Sequence, residues 1–281
     1  MAFRFTWIPL LGLSTALALR LAGEASSEPP PNAAAILERF LERSRTTPDR
    51  VAAQHHRCFR HSVTEELGSD GKVREQKVRD FEVEFIGDVQ HLTLLKLDGR
   101  MPTDRESNRE LSKDAELKRK YAERSEKARP RGPDFIDERI IRRYSFVTNG
   151  VETVRGRKAY VLVFRPLPGL EAKEIAERAM NQLAGSLWID AEEFELVRVE
   201  AHLSESLSLF GGIVATVDRL DFGVERERNS DGFWFNAHFS SYAEGRKFLS
   251  PFRMRSRIDQ DRFRASATGA DGHSGHDSSA R

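Results

Sequence analysis

From residue 54 to residue 263 the chain places apolar side chains at every second position in run after run, and each run stops at a turn. A period of two sends successive side chains to opposite faces, so each run reads as a strand with one face toward a core. Runs 54–67, 72–87 and 89–99 are set apart by "GSDG" (68–71) and closed by "LDGR". After a charged interval, 142–156 and 157–169 resume the pattern. Leu187, Trp188 and Ile189 then meet an acidic turn, Asp190-Ala191-Glu192-Glu193, before Phe194, Leu196, Val197 and Val199 alternate with charges. Runs 213–228, 233–245 and 246–263 come after the Gly211-Gly212 loop, the first two joined by "NSDG". The sum is about ten antiparallel strands in one series. The fold class is therefore mainly β with α: a large curved antiparallel sheet or open β-barrel, residues 51–263, with helices covering its concave face.

Two details refine this. Tyr160 to Phe164 is continuously apolar, so that strand is expected to be covered on both faces. In the last run Phe252, Met254, Ser256 and Ile258 point one way and Arg253, Arg255 and Arg257 the other, which predicts a buried face and a wet one.

The helical segments differ in kind. Asn32 is placed to cap 33–45, where Ala33, Ile36, Leu37, Phe40 and Leu41 share one side. A second amphipathic helix is predicted over 171–185, with Ile175, Ala176, Ala179, Met180 and Leu183 on one side and Gly185 as its stop. Residues 103–129 are instead highly charged, with pairs such as Asp114–Lys118 and Glu116–Lys120 spaced to support a solvated helix. Its few apolar residues, Leu111, Ala115, Leu117 and Tyr121, make too thin a stripe to bury, so this insertion is expected to project from the body.

The N-terminus begins with Arg4, continues with the apolar stretch 5–19 and ends in the small residues Gly23 and Ala25. This is the layout of a signal peptide, 1–25, and predicts a chain secreted across the inner membrane into the periplasm. The alternative is an uncleaved anchor, but an apolar stretch of 15 residues is short against the roughly 20 that a span needs. A linker with Pro29-Pro30-Pro31 fills 26–50 ahead of and around the first helix, and the small polar stretch 264–281 is expected to be disordered. Net charge is +1, which leaves no basic excess for phosphate neutralisation and argues against nucleic acid. The single cysteine, Cys58, excludes an internal disulfide.

No sequence pattern carries catalysis. There is no nucleophile elbow, no zinc-protease motif and no phosphate loop. His55, His56, His61 and His91 fall on neighbouring strands, but adjacent His55 and His56 face opposite ways, and half-exposed sheet histidines are the simpler reading. His273 and His276 lie in the tail, and Cys58 reads as a small buried apolar residue. No enzyme, cofactor or metal is expected. What remains is an apolar cavity between sheet and helices, with Leu187, Ile189, Phe233, Phe235, Phe239, Phe252, Met254 and Ile258 as candidate ligand-lining residues. The same stripes are also what an ordinary core requires.

A family resemblance bears on the choice. Gly156, Tyr160, Leu162 and Pro166 on one strand, then a helix, then Trp188-Ile189-Asp190 in a hairpin, resemble the core of periplasmic lipoprotein-sorting proteins of the LolA/LolB type. "L-D-G-R-x-P" leading into a charged helix also resembles a wider set of secreted proteins. The resemblance implies a monomeric carrier holding the acyl chains of a lipid or lipoprotein, with a possible membrane-bound protein partner. An alternative on the same fold is a non-enzymatic envelope sensor or interaction module resembling the periplasmic anti-sigma regulators. The charged helix departs from the simple carrier. Intact mass of the exported protein should show a chain beginning near Ser26; a mature form retaining 1–25 overturns cleavage in favour of a tether.

Overall fold

The computed structural model describes residues 31–46, 56–86, 89–125, 136, 138–172, 175–209, 215–230, 232–248 and 250–265. The expectations for the signal segment, for 26–30 and 47–50, for His55, for Gly211-Gly212 and for the tail beyond 265 lie outside the described residues.

Helix α1 (Ala33–Thr46) opens the fold, and Asn32 caps it, its Oδ1 accepting from the Ala35 N–H at 2.9 Å. Three strands come next: β1 (His56–Leu67), β2 (Val73–Ile86) and β3 (Val89–Leu97). Helix α2 (Asp104–Ser125) and the helical turn α3 (Glu138–Ile141) lead to β4 (Tyr144–Val154) and β5 (Arg157–Pro166). After α4 (Ile175–Met180) come β6 (Leu183–Asp190), β7 (Leu196–Leu203), β8 (Leu207–Leu209), β9 (Ala215–Arg228), β10 (Trp234–Lys247) and β11 (Ser250–Ala265).

All strands join one antiparallel sheet in the order β3-β2-β1-β11-β10-β9-β7-β6-β5-β4, with β8 beside β9. The first three strands build outward to one edge. The chain then crosses to the far edge and returns strand by strand until β11 pairs with β1. Edges β3 and β4 stay apart, so this is an open curved sheet and not a closed barrel.

Directly opposed residues of an antiparallel pair share a face. One row therefore runs across the whole sheet: Leu97, Arg79, Ser62, Ile258, Phe239, Val224, Val199, Leu187, Leu162, Thr148. The apolar end of that row is the core. Ile36, Leu37 and Phe40 of α1 pack on Leu162, Leu187, Ile189, Val199 and Val224, which places α1 on the concave face over β5–β9. On the convex face Ala159 and Val161 join Trp188, Val197 and Trp234. Strand β5 is thus covered on both sides, as its unbroken apolar run requires.

Three expectations are corrected. The helix expected over 171–185 is limited to α4, and Gly185 is not its stop but lies within β6. A Cβ at Gly185 would sit 2.0 Å from the Glu200 carbonyl oxygen, so close approach of β7 requires glycine there and sheet pairing overrides the helical pattern. The face of β11 expected to be buried is open: Phe252 and Ile258 are half-buried and Met254 is 42% exposed. The charged helix does not project freely, because Glu110 of α2 reaches Arg79 on the concave face of β2 at 3.8 Å.

The hairpin 183–203 is pinned by Asp190, whose side chain is 1% exposed. Arg157 donates to it through Nε at 2.6 Å and Nη2 at 3.0 Å, and the N–H groups of Glu192 and Glu193 donate at 3.0 and 2.7 Å. Burial alone would raise this carboxyl, but Arg157 and the two N–H donors outweigh it and hold Asp190 below the usual aspartate range. Its contribution is therefore fully present above the ordinary aspartate value of about 3.9 and is lost as pH falls through the lower folded value. Asp190→Ala should cost about 3 kcal/mol in urea unfolding at pH 7, because it leaves two N–H donors without their acceptor and removes the buried one of the three carboxylates that Arg157 meets. The cost should shrink below about pH 4; a loss under about 0.5 kcal/mol would show that the turn does not depend on this carboxylate.

Candidate functional site

The concave face changes character across its width. Under α1 it is apolar and closed. Over β9–β11 it is apolar and partly open: Phe239 and Ile258 are direct partners, Ala243 opposes Met254, and Leu220 opposes Ala243. Small hydroxyls come next, with Ser241 opposite Ser256, Ser256 opposite Thr64, and Ile258 opposite Ser62. Over β1–β3 the face becomes charged, with Arg60, Lys77 and Arg79 set beside Cys58, Phe81, Val83, Leu92 and Leu94, while Glu66 and Glu75 oppose each other nearer the β1–β2 turn, Glu66 also facing Met254.

The eight candidate lining residues fall at four places. Leu187 and Ile189 are buried beneath α1, fully engaged by the main core. Phe239 is half-buried at the margin of that core. Phe252, Met254 and Ile258 continue its face into the open zone. Phe235 stacks on Phe263 with ring centroids 3.7 Å apart, and Phe233 meets His56 edge-on at 5.4 Å. The structure thus brings Phe239, Phe252, Met254 and Ile258 onto one accessible surface.

Helix α2 starts with a capping box. The Glu106 N–H donates to Thr103 Oγ1 at 3.4 Å and the Thr103 N–H to Glu106 Oε2 at 2.9 Å. Arg100 forks onto the same carboxylate at 2.9 and 2.7 Å, and with the Thr103 bonds this lowers Glu106 to about 2. The helix is therefore aimed from its first turn. One turn on, Glu110 accepts from Lys113 at 2.6 Å while facing Arg79. Arg60 lies diagonally beside Arg79 and donates to amide oxygens, to Gln260 at 3.2 and 2.9 Å and to Gln90 at 3.0 Å. Burial lowers the Arg60 guanidinium pKa, while Cys58 and Asp114 of α2 act in the opposite sense.

Two further polar clusters serve the fold. At the C-terminal end of α1, Arg43 approaches Glu195 at 3.6 Å, and Glu195 is held at 2.9 Å by Arg226, both members of that pair being about 10% exposed. On the convex face Asp80, His61, Asp259, His238 and Glu225 form a cross-strand row, with ring nitrogen to carboxylate distances of 2.6 Å at His61–Asp80 and His238–Asp259. Among the described residues no group of three or more His, Cys, Asp or Glu is placed to hold a metal ion. The arginines 253, 255 and 257 pair with Glu244, Glu65 and Asp259 on that same convex side. Among the described residues no helix is long and apolar enough to cross a membrane.

No family model matches the chain, and no curated protein matches it. Several solved structures are similar in fold. A LolA superfamily protein from Nitrosomonas europaea is 13% identical, with 84% of this chain and 94% of that chain covered at a TM-score of 0.30. A DUF1329 family protein from Desulfovibrio piger is 11% identical over 86% and 94% of the two chains, at 0.31. The MucA/MucB complex from Pseudomonas aeruginosa supplies a chain 11% identical over 83% and 98%, at 0.24.

Arg60 and Arg79 are the side chains that sequence reasoning passes over. The available signal is parity: each stands on the same face of its strand as an apolar neighbour, Cys58 for Arg60 and Phe81 for Arg79. Cys58 itself is 3% exposed, and desolvation pushes its thiol up to about 11. It should stay protonated at about pH 8 and resist a thiol reagent in the native protein, reacting only after denaturation. Rapid labelling of the folded chain would contradict this burial.

Proposed function

We propose that this chain is a non-enzymatic carrier of the cell envelope, holding the acyl chains of a lipid or lipoprotein against the concave face of its sheet. One observation carries the reading. The apolar face packed by α1 continues past the helix onto Phe239, Ile258, Phe252 and Met254, where Met254 is 42% exposed. A soluble chain with 32% charged residues leaves such a surface bare at a cost in hydration, which an aliphatic chain laid along β10 and β11 relieves. The surface is set in a curved sheet between two helices, a shape suited to an elongated guest rather than to a flat protein face.

Binding of a fluorescent long-chain probe to the purified protein tests this. The parent should bind, and Met254→Glu should weaken binding by about tenfold or more, since a charge would then oppose the apolar tail. Because Met254 is exposed, the variant should keep its circular dichroism and melting midpoint. A folded Met254→Glu protein with unchanged affinity removes β11 from the site. No binding by the parent defeats the carrier reading and leaves the interaction module in its place.

A further inference from the structure

We propose that Arg60 and Arg79 form an anion site at the end of the apolar surface, that it takes the carboxylate or phosphate head of an amphiphile, and that α2 covers it. This rests on the carrier reading and names the class of its ligand.

Position supports it first. Ile258 opposes Ser62 and Ser62 opposes Arg79, so the cation lies two strands, roughly 10 Å, from the apolar surface on the same face. Arg60 is two residues from Ser62 on β1 and opposes Phe81. A guest whose tail lies on Phe239 and Ile258 brings its head to these guanidiniums after passing only the small hydroxyl side chains. The change from apolar to hydroxyl to cationic along one row matches the two ends of such a molecule.

The partners of the two arginines support it next. Among the described residues the hydrogen-bond acceptors of Arg60 are the neutral amide oxygens of Gln260 and Gln90, which leave its charge uncompensated at contact distance. Arg79 Nε is buried without a hydrogen-bond partner, and its nearest carboxylate, Glu110, stands 3.8 Å away while bonding Lys113 at 2.6 Å. One half-buried guanidinium bonded to neutral oxygens and a second with an unbonded Nε are set up for a charged acceptor, and a carboxylate or phosphate oxygen accepts in the bidentate geometry that arginine offers. Glu110 and Asp114, one turn apart on α2, supply the negative charge over this pair while no guest is present. They act as a replaceable lid whose fixed end is the Arg100–Glu106–Thr103 cap.

The test compares guests that differ only at the head. Oleic acid, oleyl alcohol and oleoyl glycerol phosphate are titrated into the full chain, with inorganic phosphate alone as a further arm. The acid and the phosphate ester should bind at least about tenfold more tightly than the alcohol. Arg60→Gln with Arg79→Gln should bring them to the level of the alcohol, whose own affinity should not change. Glu110→Gln with Asp114→Asn should strengthen the acid several-fold, because the competing carboxylates are gone. Should the double arginine variant fail to fold, Arg79→Gln alone carries the comparison, since it loses one loose ion pair. Equal binding of acid and alcohol by the parent overturns the anion site while the carrier reading stands. Failure of every oleyl guest removes the carrier reading and this one with it. Displacement of the acid by inorganic phosphate at equal concentration overturns the assignment to a lipid head.

Discussion

Whether a side chain faces α1 or the convex side is decided by its count along the strand, and backbone hydrogen bonds carry that count from each strand to its neighbour. Where the count must change, the chain inserts a residue. The extra residue in β11 between Asp261 and Arg264, opposite Arg57 and Phe59, and the one in β10 between Asn236 and His238 re-aim the side chains beyond them. The second falls between Phe235, which stacks on Phe263, and Phe239, which opposes Ile258, so their spacing in the chain does not by itself place them together. The chemistry of the surface is therefore written by strand register, and a slip of one residue in β11 would exchange Met254 and Ile258 for their charged neighbours.

Charge fastens what parity arranges. The turn after β6 holds Asp190, Glu192, Glu193 and Glu195, and each meets arginine: Asp190, Glu192 and Glu193 meet Arg157, Glu193 also meets Arg228, and Glu195 meets Arg226 and Arg43. Through Arg43 this network reaches the last turns of α1. A helix held only by Ile36, Leu37 and Phe40 has latitude to roll on an apolar surface, and a directional ion pair at one end limits that roll. The open zone over β10 and β11 thus keeps a defined border. Helix α2 is treated differently: its start is fixed by a capping box and its middle rests on a long ion pair, so one helix closes the core and the other covers without sealing.

The strands are legible in the sequence because alternation and turn residues agree at nearly every boundary, as with Gly68 to Gly71 and Asn229 to Gly232. The helix over 171–185 is overread because an i, i+3, i+4 pattern of small and apolar residues also suits a short helix running into a strand, and nothing local shows that Glu200 will press on Gly185. Strand β8 is only Leu207 to Leu209, too short for any period to declare itself. The placement of α2 is hidden for a related reason. Apolar stripes predict burial by hydrophobic contact, whereas this helix is aimed by the local Arg100–Glu106–Thr103 cap and reaches the sheet through Glu110 and Arg79, a pair that no apolar stripe announces. The candidate lining residues can be found by face, but which of them α1 covers depends on where a separate helix lands.

The closing pair of the sheet joins residues 56–67 to residues 250–265. Strand β1 thus lacks one of its two neighbours until almost the entire domain has been made, and the loop that must close to supply it runs from Leu67 all the way to Ser250. Contacts so distant in sequence are reached late and slowly. Without that pairing the strands divide into two sets, β1–β3 and the β4–β11 meander, which meet only at β1 and β11. The capped start of α2 draws on neighbouring residues alone, so it does not depend on that closure although it lies in the long crossover between the two sets.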